Sequence, residues 1–397
     1  MTIAMPETLS HDLIEAVRAV VGTEPVIGLH EPEIGDAEKL FVSECLDSTF
    51  VSSVGPFVTR FEEEIAAFTG AGHAVAVSNG TSALQVALFI AGVRPGEEVL
   101  IPSLSFIATA NAVSHCGAVP HFVDSDSETM GMDPEALGTV LASMSGGPAG
   151  VFNPATGRRI AAIMPMHTLG HPADIEAIVE LADAHSIPVV EDAAESLGSF
   201  VGARHTGTFG RLGVLSFNGN KIVTTGGGGM ILTDDPELAR HAKHLTTTAK
   251  LPHAWEFEHD EIAWNFRMPN LNAAMGVGQL TKLDRYLADK REIAAHYSRV
   301  LEAVDGVTFV KEPAGTSSNF WLCAVRLDKP DLPARDELLS ALNEQGLRCR
   351  PFWNLASDQR MYVDCPKGDL RVARSLLEST ICLPSSPRLA HAPGRTP

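Results

Sequence analysis

The chain has 397 residues, of which 45% are hydrophobic and 20% charged, a composition typical of a globular protein large enough for two domains. Its formal net charge of −19 argues against nucleic acid as a partner, because phosphate backbones bind to basic faces. The six cysteines include no Cys-x-x-Cys pair, which indicates neither a zinc site nor a disulfide framework. No apolar run approaches the roughly 20 residues that span a bilayer and no signal pattern begins the chain, so we expect a cytoplasmic protein without a membrane partner.

Short apolar runs alternate with segments of helical periodicity over the first two-thirds of the chain. We predict strands at residues 74–77, 99–102, 121–124, 162–166, 188–192, 213–217 and 229–234. Helical periodicity occurs between them, for example over 82–91 and 175–185, and the alternation predicts an α/β domain with a mainly parallel sheet. Ligands of such sheets bind at the carboxyl ends of the strands. The Gly- and Pro-rich stretch 145–159 is predicted to be a surface loop.

The pattern changes beyond about residue 270. Residues 270–301 are strongly helical, and a strand over 320–327 and a helix over 334–345 follow in mixed order. We therefore expect three segments: an N-terminal helical segment at 1–30, a large domain at 31–262 and a smaller C-terminal α+β domain at 263–397.

Lys221 follows the apolar run 213–217 and precedes four consecutive glycines at 226–229. Burial that lowers the pKa of a lysine frees its amine to form a Schiff base with an aldehyde cofactor. Glycines allow the backbone to approach such a ligand closely. The same pattern also fits a solvated lysine on a glycine-rich loop, because most lysines are exposed.

Residues 78–82, Ser-Asn-Gly-Thr-Ser, lie between a predicted strand and a predicted helix. Free backbone amides at the start of a helix form an anion site, and Gly80, Thr81 and Ser216 are the candidate phosphate ligands. The helix dipole alone contributes only about 0.3–1 kcal/mol, so firm binding requires these further partners. An N-cap by Thr81 or Ser82 explains the same residues about as well.

Other candidates likewise have both a functional and a structural interpretation. Asp192 closes an apolar strand, where a carboxylate keeps a pyridine nitrogen protonated, but Asp192 to Glu195 also has the spacing of a helix capping box. Phe106 follows another strand, and its ring either stacks on a planar cofactor or belongs to the core. Asn265 and Arg267 lie among apolar residues, where the guanidinium suits an anion or forms a structural salt bridge.

These features favour one cofactor site over unrelated structural roles, because a phosphate loop, a strand-end carboxylate, a stacking aromatic and a glycine-flanked lysine occur together. Other chemistries find less support: the Gly-Lys of a Walker A loop, His-Glu-x-x-His and Gly-x-Ser-x-Gly are absent from the sequence. His167 and His171 have a spacing that suits a metal, but no matching carboxylate or cysteine follows nearby. We predict no metal site.

These segments resemble the DegT/DnrJ/EryC1/StrS family of sugar aminotransferases, over about residues 43–384. The most specific block is 216–229, Ser-Phe-Asn-Gly-Asn-Lys-Ile-Val-Thr-Thr-Gly-Gly-Gly-Gly, which is similar to the branch that aminates C4 of nucleotide-linked 4-keto-6-deoxy sugars. The resemblance implies a pyridoxal-phosphate-dependent transferase fold of type I, with a mainly parallel sheet in the large domain. It further implies pyridoxal phosphate as cofactor, a nucleotide sugar as substrate, glutamate as amino donor and a homodimer with shared active sites.

The resemblance also implies residue roles. Lys221 is expected to hold the cofactor covalently and to move the proton, and Asp192 to pair with the pyridine nitrogen. The other expected cofactor contacts are Phe106 at the ring, Glu195 at the cofactor face, Gly80, Thr81 and Ser216 at the phosphate, and Asn265 at the phosphate of the neighbouring subunit's cofactor. The expected substrate contacts are His167 and Arg267.

We therefore expect an aminotransferase whose two half-reactions use glutamate and a 4-keto sugar. A 3-keto sugar aminotransferase of the same family is an alternative. A cofactor-dependent sugar dehydratase on the same fold is another, but those members carry histidine in place of the lysine, and Lys221 argues against it. A non-catalytic regulatory or binding protein that retains the fold is the third, and the intact set of site residues argues against it.

Overall fold

The computed structural model describes residues 7–147 and 150–395 of the chain. Within these ranges the α-helices are α1 (Glu7–Val21), α2 (Asp36–Asp47), α3 (Pro56–Thr69), α4 (Gly80–Ile90), α5 (Ile107–His115), α6 (Pro134–Ala142), α7 (Ile175–Ala184), α8 (Pro236–Thr246), α9 (Asn270–Leu280), α10 (Leu283–Leu301), α11 (Leu332–Glu344) and α12 (Arg371–Ser379). The predicted N-terminal helical segment contains α1, and its first six residues lie outside the described ranges. Among the described helices, none has both the length and the apolar character needed to cross a membrane.

The strands account for most of the apolar runs in the sequence. They are β1 (His73–Val77), β2 (Glu98–Pro102), β3 (Val119–Val123), β4 (Ser145–Gly147), β5 (Gly150–Phe152), β6 (Ile160–Ile163), β7 (Val190–Asp192), β8 (Phe200–Val201), β9 (Arg204–His205), β10 (Leu212–Ser216), β11 (Gly229–Thr233), β12 (Val307–Phe309), β13 (Thr316–Ser317), β14 (Cys323–Leu327), β15 (Arg350–Pro351) and β16 (Thr380–Leu383). Each of the seven strands predicted before residue 262 overlaps one of them. The stretch 145–159, predicted as a loop, instead contains the short antiparallel strands β4 and β5. Their glycines give these strands no apolar pattern in the sequence.

Seven strands form one central layer. Hydrogen bonding gives the order β1–β11–β10–β7 and, separately, β3–β2–β6. Parallel bridges from Ile163 to Val189 and from Met166 to Asp192 join β6 to β7. The spatial order is therefore β1, β11, β10, β7, β6, β2, β3, and only β11 runs antiparallel to its neighbours. This arrangement confirms the predicted α/β fold with a mainly parallel central sheet.

A second sheet, in the order β12–β14–β16–β15, is antiparallel throughout. Side chains of α1, α10 and α11 share its core, namely Leu13, Val17, Ile293, Tyr297, Leu338 and Leu342. Helix α1 thus packs with elements from the last third of the chain, because its apolar face finds its partner there. The bounds of the three predicted segments stay a prediction.

The central sheet positions the candidate site. Strands β1, β2, β7 and β10 all run in the same direction, so their carboxyl ends meet at one edge of the layer. Asn79 follows β1, Phe106 follows β2, Asp192 ends β7 and Ser216 ends β10. Residues far apart in the sequence are thereby brought to a common edge.

Candidate active site

A cavity of about 650 Å³ opens at this carboxyl edge. Seven of the ten site residues predicted from the sequence line it: Gly80, Thr81, Phe106, Asp192, Glu195, Ser216 and Lys221. The cavity is therefore the meeting point of the four strand ends and of the glycine-flanked lysine.

Lys221 lies in a loop that leaves β10 after Ser216 and returns into β11 at Gly229. At the base of the loop Phe217 is fully buried, its amide donates to the Gly228 carbonyl over 2.9 Å, and its carbonyl accepts from the Thr225 amide over 3.0 Å. These bonds close the loop on itself. The local fold thus presents a lysine to the cavity from an anchored base, rather than from a freely solvated loop.

The amine of Lys221 has two close neighbours in the cavity wall. Its Nζ lies 3.2 Å from Glu195 Oε1 and 3.9 Å from the centroid of the Trp321 ring. The other oxygen of Glu195 accepts a hydrogen bond from the Leu169 amide over 2.9 Å. Burial raises the pKa of Glu195 to about 7, although the attraction of Lys221 opposes the shift. The lysine is held between a carboxyl group and an aromatic face.

Asp192 is 2% exposed and ends its strand at the cavity. Its Oδ2 accepts a hydrogen bond from Thr109 Oγ1 over 2.7 Å, and its Oδ1 accepts one from the Ala194 amide over 3.2 Å. Burial raises the pKa of Asp192, while the Thr109 and Ala194 hydrogen bonds oppose the rise. Strand β7 ends at Asp192 and the next described element is β8, so no helix begins directly after Asp192 and the capping-box interpretation is wrong. The carboxylate is fixed in place and faces a ligand space.

The start of α4 also lines the cavity. Asn79 is the N-cap of this helix, because its Oδ1 accepts from the Ser82 amide over 2.8 Å; the caps proposed for Thr81 and Ser82 are wrong. The amides of Gly80 and Thr81 have no acceptor in the described part of the chain. Unpaired amides at a helix start are suited to an anion such as a phosphate.

Two residues from neighbouring strands pack against this turn. Ser216 stands beside the turn, with its Oγ 3.2 Å from where a Cβ on Gly80 would lie. A Cβ on Gly229 would come within 2.6 Å of the Asn79 carbonyl group and 2.8 Å of the Gly80 nitrogen. Glycine at 229 is therefore required for β11 to approach the turn this closely.

The outer wall of the cavity comes from the last third of the chain and was missed by sequence reasoning. Phe106 is 49% exposed, and its ring packs edge-on against Trp353 with the centroids 6.1 Å apart. Arg350 and Asn354 line the same wall. Trp321, Arg350 and Trp353 were not predicted as site residues, because they lie far along the chain from Lys221 and from the strand ends that located the other residues.

Three predicted site residues lie outside the cavity wall. His167 is fully buried, with its Nε2 3.0 Å from Glu191 Oε2. Arg267 is also buried and pairs with Glu62 Oε1 over 2.6 Å, the structural salt bridge that its sequence context allowed. Asn265 is exposed. None of the contacts of His167 or Arg267 supports the prediction that they bind substrate.

The sequence model of the DegT/DnrJ/EryC1/StrS aminotransferase family matches residues 32–394. The chain belongs to this family. Its members are pyridoxal-phosphate-dependent aminotransferases, and the chain is accordingly an enzyme of that class.

Characterised relatives cover nearly the whole chain. The GDP-perosamine synthase of Escherichia coli O157:H7 is 36% identical over 92% of this chain and 94% of its own length. The GDP-perosamine synthase of Caulobacter vibrioides is 34% identical over 93% of this chain and 95% of its own length. Among solved structures, the aminotransferase TlmJ from Streptoalloteichus hindustanus superimposes with a TM-score of 0.82 at 33% identity, covering 91% of this chain and 93% of that chain. These likenesses agree with the fold of the DegT/DnrJ/EryC1/StrS family.

The cavity fits the cofactor of this family on its own geometry. It has unpaired helix-start amides at one end for a phosphate, a buried carboxylate in one wall for a pyridine nitrogen and a lysine amine within the same space. Gly229 allows β11 to pack directly against the turn that carries these amides. These three features make the cavity a suitable site for pyridoxal phosphate.

Proposed function

We propose that this enzyme transfers the amino group of glutamate to C4 of a nucleotide-linked 4-keto-6-deoxy sugar. The observation that carries the proposal is the similarity over nearly the full length to two GDP-perosamine synthases, enzymes named for a 4-amino sugar. The block 216–229, which contains Lys221, is similar to the same branch of the family. Glutamate as the donor rests on the family resemblance.

Each group of residues in the cavity has a separate role in such a transfer. Bound pyridoxal phosphate supplies an aldehyde carbon that exchanges amino groups and a ring that withdraws electrons from the reacting carbon. Asp192, held by Thr109, is placed to accept a hydrogen bond from a protonated ring nitrogen. The amides of Gly80 and Thr81, with the hydroxyl of Ser216, are placed to hold the phosphate.

Lys221 is the proposed proton carrier. A proton has to leave one carbon and reach another during each half-reaction, and an amine held beside both carbons can perform this transfer. The Lys221 side chain is 13% exposed, and its Nζ lies 3.2 Å from Glu195 Oε1. Glu195 is therefore placed to orient the amine and to exchange a proton with it at Oε1.

The outer wall suits an anionic substrate with flat groups. Arg350, Trp353 and Asn354 line the cavity, where they offer a guanidinium, an indole ring and an amide. Guanidinium groups bind phosphate oxygens through paired hydrogen bonds, and aromatic rings stack on nucleobases. This combination supports a nucleotide diphosphate sugar, although the chain as a whole is acidic.

We also propose a homodimer with shared active sites. Apolar side chains that a single chain leaves exposed include Phe50, Val54, Trp255, Phe257 and Ile262, and the last is 94% exposed. Apolar surface of this kind is typical of protein interfaces. Asn265 follows this group in the sequence and is exposed, which supports its predicted contact with the cofactor phosphate of a neighbouring subunit.

The decisive experiment is an amination screen. The holoenzyme is incubated with glutamate and with UDP-, GDP- and dTDP-linked 4-keto and 3-keto sugars, and the products are analysed by NMR. Amination at C4 of a 4-keto sugar is the expected result. Amination at C3 would support the alternative 3-keto branch, and absence of turnover on every sugar, with cofactor bound, would refute the proposed substrate class.

A further inference from the structure

A cluster of metal-ligating side chains lies away from the cavity, at the end of α8. His244 Nε2 is 2.6 Å from Asp260 Oδ1, and one ligand atom from each of His244, Asp260 and Glu261 lies within 4.8 Å of the other two. His241, one helical turn earlier, places its Nε2 3.1 Å from Glu261 Oε2. Two histidines and two carboxylates thus converge on one small region of the surface, a group of possible metal ligands where the sequence predicted none.

The backbone brings these groups together by a sharp reversal after α8. Thr248 and Ala249 have φ angles of 65° and 50°, in the left-handed region that such residues seldom adopt. The chain then returns, and the Asp260 amide donates to the Ala249 carbonyl over 3.3 Å. Trp264 closes the reversal with its amide 2.9 Å from the Leu245 carbonyl. Asp260 and Glu261 are therefore delivered to the helix face that carries the histidines.

We propose that His244, Asp260 and Glu261 bind a zinc ion, with His241 hydrogen-bonded to Glu261 as the group that orients it. Zinc takes imidazole nitrogen and carboxylate oxygen at about 2.0–2.1 Å in tetrahedral geometry, which places ligand atoms roughly 3.3 Å apart. The separations in this cluster, from 2.6 Å to at most 4.8 Å, bracket that value. Small side-chain rotations bring the three donors to a common centre, and water takes the open position.

The charge of the cluster suits a divalent cation. The two carboxylates give the cluster two negative charges, and Asp260 Oδ1 lies 2.6 Å from His244 Nε2. The nearby Lys243 does not compensate this charge, because its Nζ is directed to Glu62, 3.6 Å away. Hydrogen bonds to ligating carboxylates are a regular feature of zinc sites, and His241 supplies one.

The bound ion would tie residues 249–262 to α8. This segment carries the exposed Trp255, Phe257 and Ile262 and leads directly to Asn265. Apart from the cluster, few side-chain hydrogen bonds join this segment to the rest of the described chain. One of them runs from His259 Nδ1 to the Thr248 carbonyl over 2.8 Å. The role of the metal is therefore structural, and zinc binding by a single chain is measurable whether or not the enzyme acts on the proposed sugar.

The test is isothermal titration of the tag-free holoenzyme with zinc chloride. We expect one zinc per chain for the wild type, no binding for H244N and for the double variant D260N/E261Q, and affinity weakened about 10- to 100-fold for H241N. The matched control is H253N, which removes an exposed histidine of the same segment that pairs with Glu256 instead. This variant should bind zinc like the wild type.

Cobalt substitution distinguishes metal binding at this cluster from metal binding at the cysteines. Cobalt bound to nitrogen and oxygen gives visible bands without the intense near-ultraviolet charge-transfer band of thiolate ligands. We expect the former in the wild type and neither in H244N. Wild-type protein that binds no zinc, zinc binding that persists unchanged in H244N, or a thiolate band in the cobalt protein would each overturn the proposal.

Discussion

Lys221 and Glu195 form a pair in which Nζ lies 3.2 Å from Oε1, with Glu195 buried at 3% exposure and the Lys221 side chain partly buried. A charged carboxylate is costly in these surroundings, and burial raises the pKa of Glu195 to about 7 despite the opposing attraction of Lys221. The pair places a carboxyl group that titrates near neutral pH beside the amine that we propose as the proton carrier. It also makes the stability of the enzyme sensitive to pH in a defined direction.

Glu195→Gln is expected to remove that pH sensitivity. The folded-state pKa of about 7 exceeds the ordinary value of 4.5, so the folded protein holds a proton that the unfolded chain releases between these values. The stability from this group is complete below about pH 4.5 and is lost as the pH rises through about 7. In denaturant titrations of cofactor-free protein, wild type should lose unfolding free energy relative to Glu195→Gln over this range. A difference that stays constant with pH would contradict the assignment.

Lys221→Ala is expected to abolish amino transfer. Loss of a positioned proton carrier alone lowers a rate by about 10²–10⁴-fold, and loss of the covalent link to the cofactor adds to it. The yellow colour of the bound cofactor should be lost or shifted as well. Steady-state turnover and the absorbance spectrum measure these effects, with the exposed Lys329→Ala as the control. Turnover retained in Lys221→Ala would refute the role of this lysine.

Thr109→Val is expected to weaken the hold on Asp192. The substitution keeps the shape of the side chain but removes the donor that bonds Oδ2 over 2.7 Å, which leaves a buried carboxylate oxygen short of a partner at a cost of about 1–3 kcal/mol. Cofactor affinity and unfolding free energy should both fall. Thr69→Val is the matched control. The buried Thr69 hydroxyl donates only to carbonyls of α3, those of Ile65 and Ala66. Equal cofactor affinity in the two variants would argue against Asp192 as the ring partner.

Gly229→Ala is expected to displace the phosphate-binding turn. The added Cβ would lie 2.6 Å from the Asn79 carbonyl group and 2.8 Å from the Gly80 nitrogen, both backbone atoms that cannot rotate away. Such overpacking costs about 1–3 kcal/mol, and cofactor affinity should fall together with stability. Gly219→Ala, in the loop that carries Lys221, meets open space and should change neither. Fluorescence titration with pyridoxal phosphate measures the affinity, and wild-type values for Gly229→Ala would show that the close approach is not required.

Ile262→Asp is expected to shift the enzyme from dimer to monomer. Ile262 is 94% exposed in the single chain, and a charge at a buried interface position is costly. If Asn265 completes the site of the neighbouring subunit, the monomer should also lose cofactor more readily. Sedimentation velocity and dialysis against cofactor-free buffer measure the two effects, and Leu332→Asp, at another partly exposed apolar position, is the control. A fully active wild-type monomer would exclude the shared site.

The strand ends explain why so much of the site was predictable. Buried parallel strands have continuous apolar runs, and the polar residue that ends each run lies at the ligand-binding edge. Asp192 and Ser216 end such strands, and Gly80 begins the helix after another. The local sequence pattern is therefore enough to predict these residues without any tertiary contact. The pattern does not distinguish a helix cap from a cofactor ligand at Asp192, because both roles require a carboxylate at the end of the same strand.

The sequence by itself determined the alternation of strands and helices, the glycine-flanked Lys221 and the family of the enzyme, because each depends on residues near one another in the chain. Tertiary structure decided which of these residues meet. It brought Trp321, Arg350 and Trp353 into the cavity wall from the last third of the chain and paired Arg267 with Glu62 instead of a substrate. These contacts join distant segments through packing and burial, and no local pattern records them.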